Sequence, residues 1–312
     1  MSIQGLTTKY TNPESDYQII KTISKSNKTL VYKTKSYKNE KFYAMKKLFC
    51  YNNYDILEAE REIRNHFDAI KVCRYVCKIY CVYRNEDLFF PQEVCMILDY
   101  CGEKTIFDLL TEPKIATIST NNSSLPTKKI FKQLIQALYT LHTKLNLAHR
   151  DIKLENLMLK NSELKIIDFG FSAVTFNPDT QQTKILSKKN YTPYYVSPEV
   201  LTCHSGRPYG TSCDVWSAGV CFYMLLTLKP PFARKDNSSN STNSSNFNSD
   251  IDHYMREKIL NGQFMKFCNR EGSSKFWDEL DQKAKDLIEK IFVVDVEKRI
   301  KIGEILSHSY FE

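Results

Sequence analysis

Glycine is scarce in this chain, with nine in 312 residues and none between Gly5 and Gly102. That stretch has no residue that takes a positive φ without steric cost or lets a ligand approach bare backbone closely. Long apolar runs are missing too. The longest nearly uncharged one, Val215 to Leu228, falls short of the roughly 20 residues a membrane span needs and reads as a buried helix. Met1 to Thr8 holds no apolar signal-peptide core, and position 2 is Ser2 rather than the glycine that myristoylation requires. The expectation is a cytoplasmic or nuclear chain. The ten cysteines (50, 73, 77, 81, 95, 101, 203, 213, 221, 268) form no Cys-x-x-Cys pair, so reduced, mostly buried thiols are expected rather than disulfides or zinc.

What is present is 42% hydrophobic and 26% charged, the balance of a globular chain long enough for two packed lobes. The formal charge of +8 comes from scattered lysines, with no basic run interleaved with stacking aromatics. A solvated surface is therefore expected, with neither nucleic acid nor membrane as partner.

Residues 17 to 47 alternate apolar and polar positions, broken at Ser24 to Lys28 and at Lys38 to Glu40, which predicts three antiparallel strands. Leu57 to Ile70 has helical spacing, and two further strands are predicted at Val76 to Arg84 and Val94 to Asp99. Beyond about residue 101 the chain turns helical, with stripes from Ile130 to Leu141, entered through Pro126-Thr127, and from Phe276 to Phe292. The predicted fold class is α+β. Its parts are an extension (1–16), a small antiparallel-sheet lobe with one major helix (17–100), and a larger, mainly helical lobe (101–312). The Asn/Ser/Thr-rich stretch 237–249 reads as an inserted surface loop, and Ile115 to Ser124 as a weaker one.

Chemistry concentrates in His149-Arg150-Asp151-Ile152-Lys153-Leu154-Glu155-Asn156 and Asp168-Phe169-Gly170, on short loops between apolar strands. A carboxylate at Asp151 can orient an attacking hydroxyl and take its proton, and Asn156 and Asp168 offer hard oxygens to magnesium on nucleotide phosphates. Lys153 can neutralise a transferring phosphoryl group. Upstream, Tyr43-Ala44-Met45-Lys46 ends a strand with a lysine, and a helix bearing Glu58, Glu60 and Glu62 follows.

In this order, with Ser197-Pro198-Glu199 and Asp214-Val215-Trp216-Ser217-Ala218-Gly219 downstream, the sequence resembles the eukaryotic protein kinases from about Tyr17 to Phe311. The resemblance implies a bilobal fold and transfer of the ATP γ-phosphate, with Mg2+, to protein substrates. Lys46 would hold the α- and β-phosphates and pair with Glu62, with Glu58 as second choice. Asp151 would be the catalytic base, Asn156 and Asp168 the metal ligands, and Glu199 the partner of Arg299. Val31, Ala44 and Met158 would sandwich the adenine, Leu98 would be the gatekeeper, and Asp99-Tyr100-Cys101 the hinge. His149 and Phe169 would share a column of buried side chains, and His66, behind the Lys46 and Glu62 pair, reads as a core histidine. Lys153 and Thr192 imply Ser/Thr as acceptor. The Tyr191 to Glu199 stretch looks like the MAP-kinase-activated kinases and the C-terminal helices like the calcium/calmodulin-dependent group. A pseudokinase acting as a nucleotide-binding scaffold is the alternative, opposed by retention of Lys46, Asp151, Asn156 and Asp168.

Two departures from the family follow. Its phosphate loop reads Gly-x-Gly-x-x-Gly-x-Val, but here Ser24, Ser26 and Thr29 replace the glycines ahead of Val31. A stiffer clamp is expected, with weaker ATP affinity or slower turnover. Arg150 suggests switching by an activation-segment phosphate added by an upstream kinase. The usual acceptor position holds Lys188, which leaves Ser187, or Thr183 further off, against activity without phosphorylation. Mass spectrometry of active protein with both residues bare would select the latter. For a substrate arginine the positions that are acidic in basophilic relatives hold Thr105 and Met224, leaving Glu155 and a weakened arginine preference.

Overall fold

The structure, a computed structural model, describes residues 3–84, 90–112, 126–177, 182–183, 191–203, 209–233, 253–266 and 276–312. Contacts divide the chain into two compact units, Met1–Lys104 with Met158–Ser172, and Thr105–Leu157 with Ala173–Glu312. The stretches 115–124 and 237–249 and the residue Ser187 lie outside the described residues.

The first unit is built on a six-stranded sheet: β1 (Thr7–Lys9), β2 (Tyr17–Lys25), β3 (Thr29–Ser36), β4 (Phe42–Cys50), β5 (Ile79–Arg84) and β6 (Gln92–Asp99). Their order is β1-β5-β6-β4-β3-β2, and every neighbour is antiparallel except β1, which runs parallel to β5. That sixth strand differs from the expected all-antiparallel sheet. It is three residues long, too short for an alternation to register.

Period-two alternation sends the two faces to different cores. Leu48, Cys50, Met96 and Leu98 point to one face, where they pack with Ala59, Ile63 and Phe67 of helix α1 (Asn53–Val72). Met45, Cys81, Tyr83, Cys95 and Ile97 form the other core under Tyr17, Tyr32 and Tyr43, with Tyr17 and Tyr43 edge to face at 5.5 Å. Helix α1 starts four residues before the Leu57 stripe because the Asn52 side chain accepts the Asp55 N–H at 3.0 Å.

The second unit is helical: α2 (Ile106–Thr111), α3 (Thr127–Leu145), α4 (Pro198–Thr202), α5 (Ser212–Thr227), α6 (His253–Leu260), α7 (Phe276–Glu279), α8 (Gln282–Ile291) and α9 (Ile302–Leu306). Helix α5 contains most of the apolar run noted above and is buried on nearly every side, as expected of a helix hydrophobic all round. A Cβ on Gly219 would come within 2.3 Å of the Ile291 side chain, so α5 and α8 approach as closely as only glycine allows. The single stripe predicted from Phe276 to Phe292 is in fact two helices. They break at Leu280-Asp281, where Asp281 caps α8 by accepting the Lys283 N–H at 2.7 Å. No helix among the described residues is long and apolar enough to cross a membrane. The nine cysteines among them are free and buried.

Candidate active site

In the first unit, strand register places Val31 opposite Lys46, and Ala44, two residues from Lys46 on the same face, opposite Leu98. The Lys46 Nζ donates to Glu62 Oε1 at 2.6 Å and to Asp168 Oδ1 at 3.0 Å. Burial works against the ammonium, but the charges of Asp168 and Glu62 outweigh it and hold Lys46 above its ordinary range. Burial pushes the Glu62 carboxyl up, opposed by Lys46. Glu58, the second choice, lies instead 3.8 Å from Arg61.

Helix α1 grips the segment after Asp168 at several points. Arg61 donates to the Gly170 carbonyl at 3.1 Å, and Asn65 Nδ2 to the Ser172 carbonyl and hydroxyl at 3.0 Å each. His66 is buried, stacks on Phe169 at 4.8 Å, and has its Nε2 2.6 Å from the Cys77 carbonyl, the placement of a core histidine. The Gly170 N–H bonds Asp168 Oδ1 at 2.9 Å, and a Cβ there would press to 3.3 Å on both Asp168 and Glu62.

Leu98, Cys101 and Met158 are buried, while Val31 and Ala44 are half-exposed. Asp99 is fixed by Lys160 at 2.6 Å, and its carbonyl lies 3.4 Å from the Cys77 thiol. In the glycine-free loop, Ser24 pairs with Val31. The Ser26 N–H and hydroxyl both turn to the Thr29 carbonyl, at 2.8 and 3.5 Å, so that hydroxyl is engaged within the loop. Lys28 adds a tie the sequence did not reveal: its Nζ meets Asp55 at 2.7 Å, and its carbonyl accepts the Phe49 N–H at 2.9 Å. A cavity of about 80 Å³ beside the loop is lined by Lys28, Thr29, Asp55, Glu62 and Gly170, among others. A lysine and an aspartate 27 residues apart leave no local signature, which is why this tie escaped notice.

In the second unit, Asp151 is the centre of a polar cluster. Asn156 Nδ2 donates to its Oδ2 at 2.8 Å and its carbonyl at 2.9 Å, and the Thr192 hydroxyl donates to its Oδ1 at 2.7 Å. Lys153 Nζ stands 2.8 Å from Asp151 Oδ2 and 3.1 Å from Thr192 Oγ1. Lys153 and Thr192, 39 residues apart in sequence, thus meet on one carboxylate. Glu155 accepts the Tyr195 hydroxyl at 2.9 Å, and burial pushes its carboxyl up.

The turn carrying Arg150 has φ of +69°, a strained value for a side-chain-bearing residue. Asp214, fully buried in α5, secures it by accepting the His149 and Arg150 N–H groups at 2.8 Å each, and it also meets His142 Nε2 at 2.8 Å. Burial would raise the Asp214 pKa, but the His142 bond and charge, aided by the His149 charge and the Arg150 N–H, hold the carboxyl below its ordinary value. The Arg150 guanidinium lies 5.4 Å from the Tyr209 ring centre. Of the two candidate phosphate acceptors, Ser187 and the Thr183 side chain both lie outside the described residues. Arg299 forms a two-pronged pair with Glu199 at 2.7 and 2.9 Å.

Residues 17–311 match the protein kinase domain family. Over 273 residues the chain is 32% identical to MAP kinase-activated protein kinase 2 of Drosophila melanogaster, covering 86% of this chain and 66% of that protein. To the human protein of the same name it is 32% identical over 263 residues, covering 82% and 57%. To Calcium-dependent protein kinase 3 of Plasmodium berghei it is 34% identical over 226 residues, covering 71% and 34%. The chain spans less than two thirds of the length of each of these three relatives. With the lysine, acid and amide positions in the family's order and the match running through nearly all 312 residues, the chain belongs to the protein kinase domain family.

Proposed function

We propose that this chain transfers the γ-phosphate of ATP to Ser or Thr hydroxyls of protein substrates. The observation that carries the reading is the Asp151 carboxylate, oriented by Asn156 and Thr192 with Lys153 at 2.8 Å. Asp151 would align the acceptor hydroxyl and take its proton as the oxygen attacks. Lys153 would offset negative charge developing at the transferred group. Lys46, held by Glu62, would bind the α- and β-phosphates, and Val31, Ala44, Leu98 and Met158 would enclose the adenine, with the backbone of Asp99 and Cys101 bonding its edge.

Magnesium would fall to Asn156 and Asp168. The Asn156 amide spends its N–H groups on Asp151 and so presents its carbonyl oxygen, and Asp168 is more than a third exposed. Among the described residues no three His, Cys, Asp or Glu gather as a metal cage. Magnesium does not require one, since it keeps waters and takes substrate phosphates beside one or two protein oxygens. ATP would supply the phosphoryl group and magnesium would neutralise the charge of its phosphates. The reading requires the Lys46 and Asp151 sets to act on one triphosphate.

For substrate choice, Glu155 is committed to the Tyr195 hydroxyl, which supports a weak arginine preference. An upstream kinase acting on Ser187 remains part of the proposal. The glycine-free loop should limit the enzyme. A Ser24/Ser26/Thr29→Gly variant is expected to bind ATP more tightly or turn over faster by roughly two- to tenfold, and unchanged steady-state rates and ATP KM would contradict this. The function itself is tested with radiolabelled ATP on a peptide library. Label should enter Ser and Thr, and label on Tyr or none at all counts against it.

A further inference from the structure

The segment ahead of Tyr17 is built into the first unit more tightly than an extension needs to be. Strand β1 adds to the free edge of β5, with Thr7 beside Cys81, Thr8 beside Val82 and Lys9 beside Tyr83. Leu6 is 7% exposed and belongs to the same buried cluster as Ile63 and Phe67 of α1, with Ile3 packed against it. Gly5, at φ of +86°, turns the chain so that its Cα side faces Phe67, whose ring edge would lie 3.7 Å from an added Cβ. Beyond the strand, Lys9 donates to Asp16 at 2.6 Å and to the Tyr83 hydroxyl at 3.1 Å, and Glu14 accepts from Lys47 at 3.0 Å.

Of these contacts, those of Gly5 and Leu6 reach α1, while strand β1, Lys9 and Glu14 hold the segment to β5, Asp16 and β4. The helix offers Phe67 and Ile63 to the N-terminal segment, and in the turns between and beside them it offers Glu62 to Lys46, Arg61 to Gly170, Asn65 to Ser172 and His66 to Phe169. A helix is a rigid element, so a force on Phe67 is felt five residues away, at Glu62.

We infer that residues Ile3–Lys9 are a positioning element for the Lys46 and Glu62 pair: an apolar plug, Leu6, and an edge strand that occupy a groove between α1 and β5 and set where the helix carries Glu62. The groove recognises an extended segment by backbone pairing to β5 and by one apolar side chain against Phe67, the usual logic of strand addition. Leu6 shares its buried cluster with Ile63 and Phe67 of α1 and also with Leu98 and Met158, and its route to the Lys46 and Glu62 pair is α1. This inference rests on the proposed phosphotransfer.

The test uses the full chain with Leu6→Asp, which places a charge in an apolar site and expels the strand. Transfer to a Ser peptide is expected to lose roughly tenfold or more in kcat as the Lys46 and Glu62 pair shifts from its place. A synthetic peptide of residues 1–12, added in excess, should refill the groove and restore the rate, and the same peptide carrying Leu6→Asp should not. Leu6→Ala, a milder change that keeps the site apolar, should give a smaller loss that is also restored. Full activity in Leu6→Asp overturns the inference while leaving the phosphotransfer reading intact. So does a loss in both variants that no peptide reverses, since that marks Leu6 as mere core. A wild-type chain that transfers no phosphate overturns the reading beneath it as well.

Discussion

With Asp151→Asn, phosphate transfer is expected to fall by roughly 10²- to 10⁴-fold, the usual contribution of a positioned base, with nucleotide affinity nearly unchanged. The amide keeps the shape of the carboxylate, so Asn156 and Thr192 retain a partner of the same size, but an amide can neither take the hydroxyl proton nor attract Lys153 at 2.8 Å. Nucleotide affinity is read separately because Lys46, Glu62 and Asp168 are untouched. Steady-state rates on one Ser peptide, measured beside a nucleotide-binding titration, check both halves. A rate within threefold of wild type would remove Asp151 from the role of base.

The largest expected effect on stability is at Arg299. Its guanidinium is 2% exposed, pairs with both oxygens of Glu199, donates to the carbonyls of Ser212 at 3.0 Å and Val293 at 2.9 Å, and lies 5.0 Å from the Trp216 ring centre. Arg299→Ala leaves the largely buried Glu199 carboxylate unpaired and those carbonyls short of a donor, a loss of about 3 kcal/mol. In thermal unfolding that is a fall of roughly 10 °C in Tm. Replacing both partners with apolar residues, Glu199→Leu with Arg299→Met, should recover much of it, because the cost lies mainly in the unpaired charge. A single variant that melts within 2 °C of wild type, about the shift that 1 kcal/mol produces, would contradict this account.

Much of this geometry is readable from the chain because it is local. Asp151, Lys153 and Asn156 lie within six positions, so their loop alone brings them near one another. Lys46 lies in the middle of β4 rather than at the strand end the sequence suggested, because the strand runs on to Cys50; alternation puts Ala44 on its face, and cross-strand register brings Val31 and Leu98 there. Glu62 was harder. Glu58 lies one helical turn away on the same face, and helix phase cannot separate residues four apart; what separates them is burial, which draws Glu62 to Lys46 and leaves Glu58 beside Arg61. The features that escaped are those that close long loops or are too short to carry a period. Lys28 to Asp55, the parallel strand at Thr7–Lys9 and the clasp of Asn65 on Ser172 each join residues whose pairing only the folded unit reveals. The break between α7 and α8 was hidden because the apolar stripe keeps its phase across Asp281, and the cap at that residue outweighs the stripe.

The account depends on Lys46 and Asp168, 3.0 Å apart, being arranged to receive a magnesium-bound triphosphate. Calorimetric titration of the full chain with ATP tests that arrangement most directly, run with and without magnesium on wild type, Lys46→Met and Asp168→Asn. The predicted result is a saturable heat in wild type that strengthens with magnesium, a loss of roughly tenfold or more in affinity for Lys46→Met, and loss of the magnesium dependence in Asp168→Asn. No heat in wild type, or identical curves for all three proteins, would contradict it.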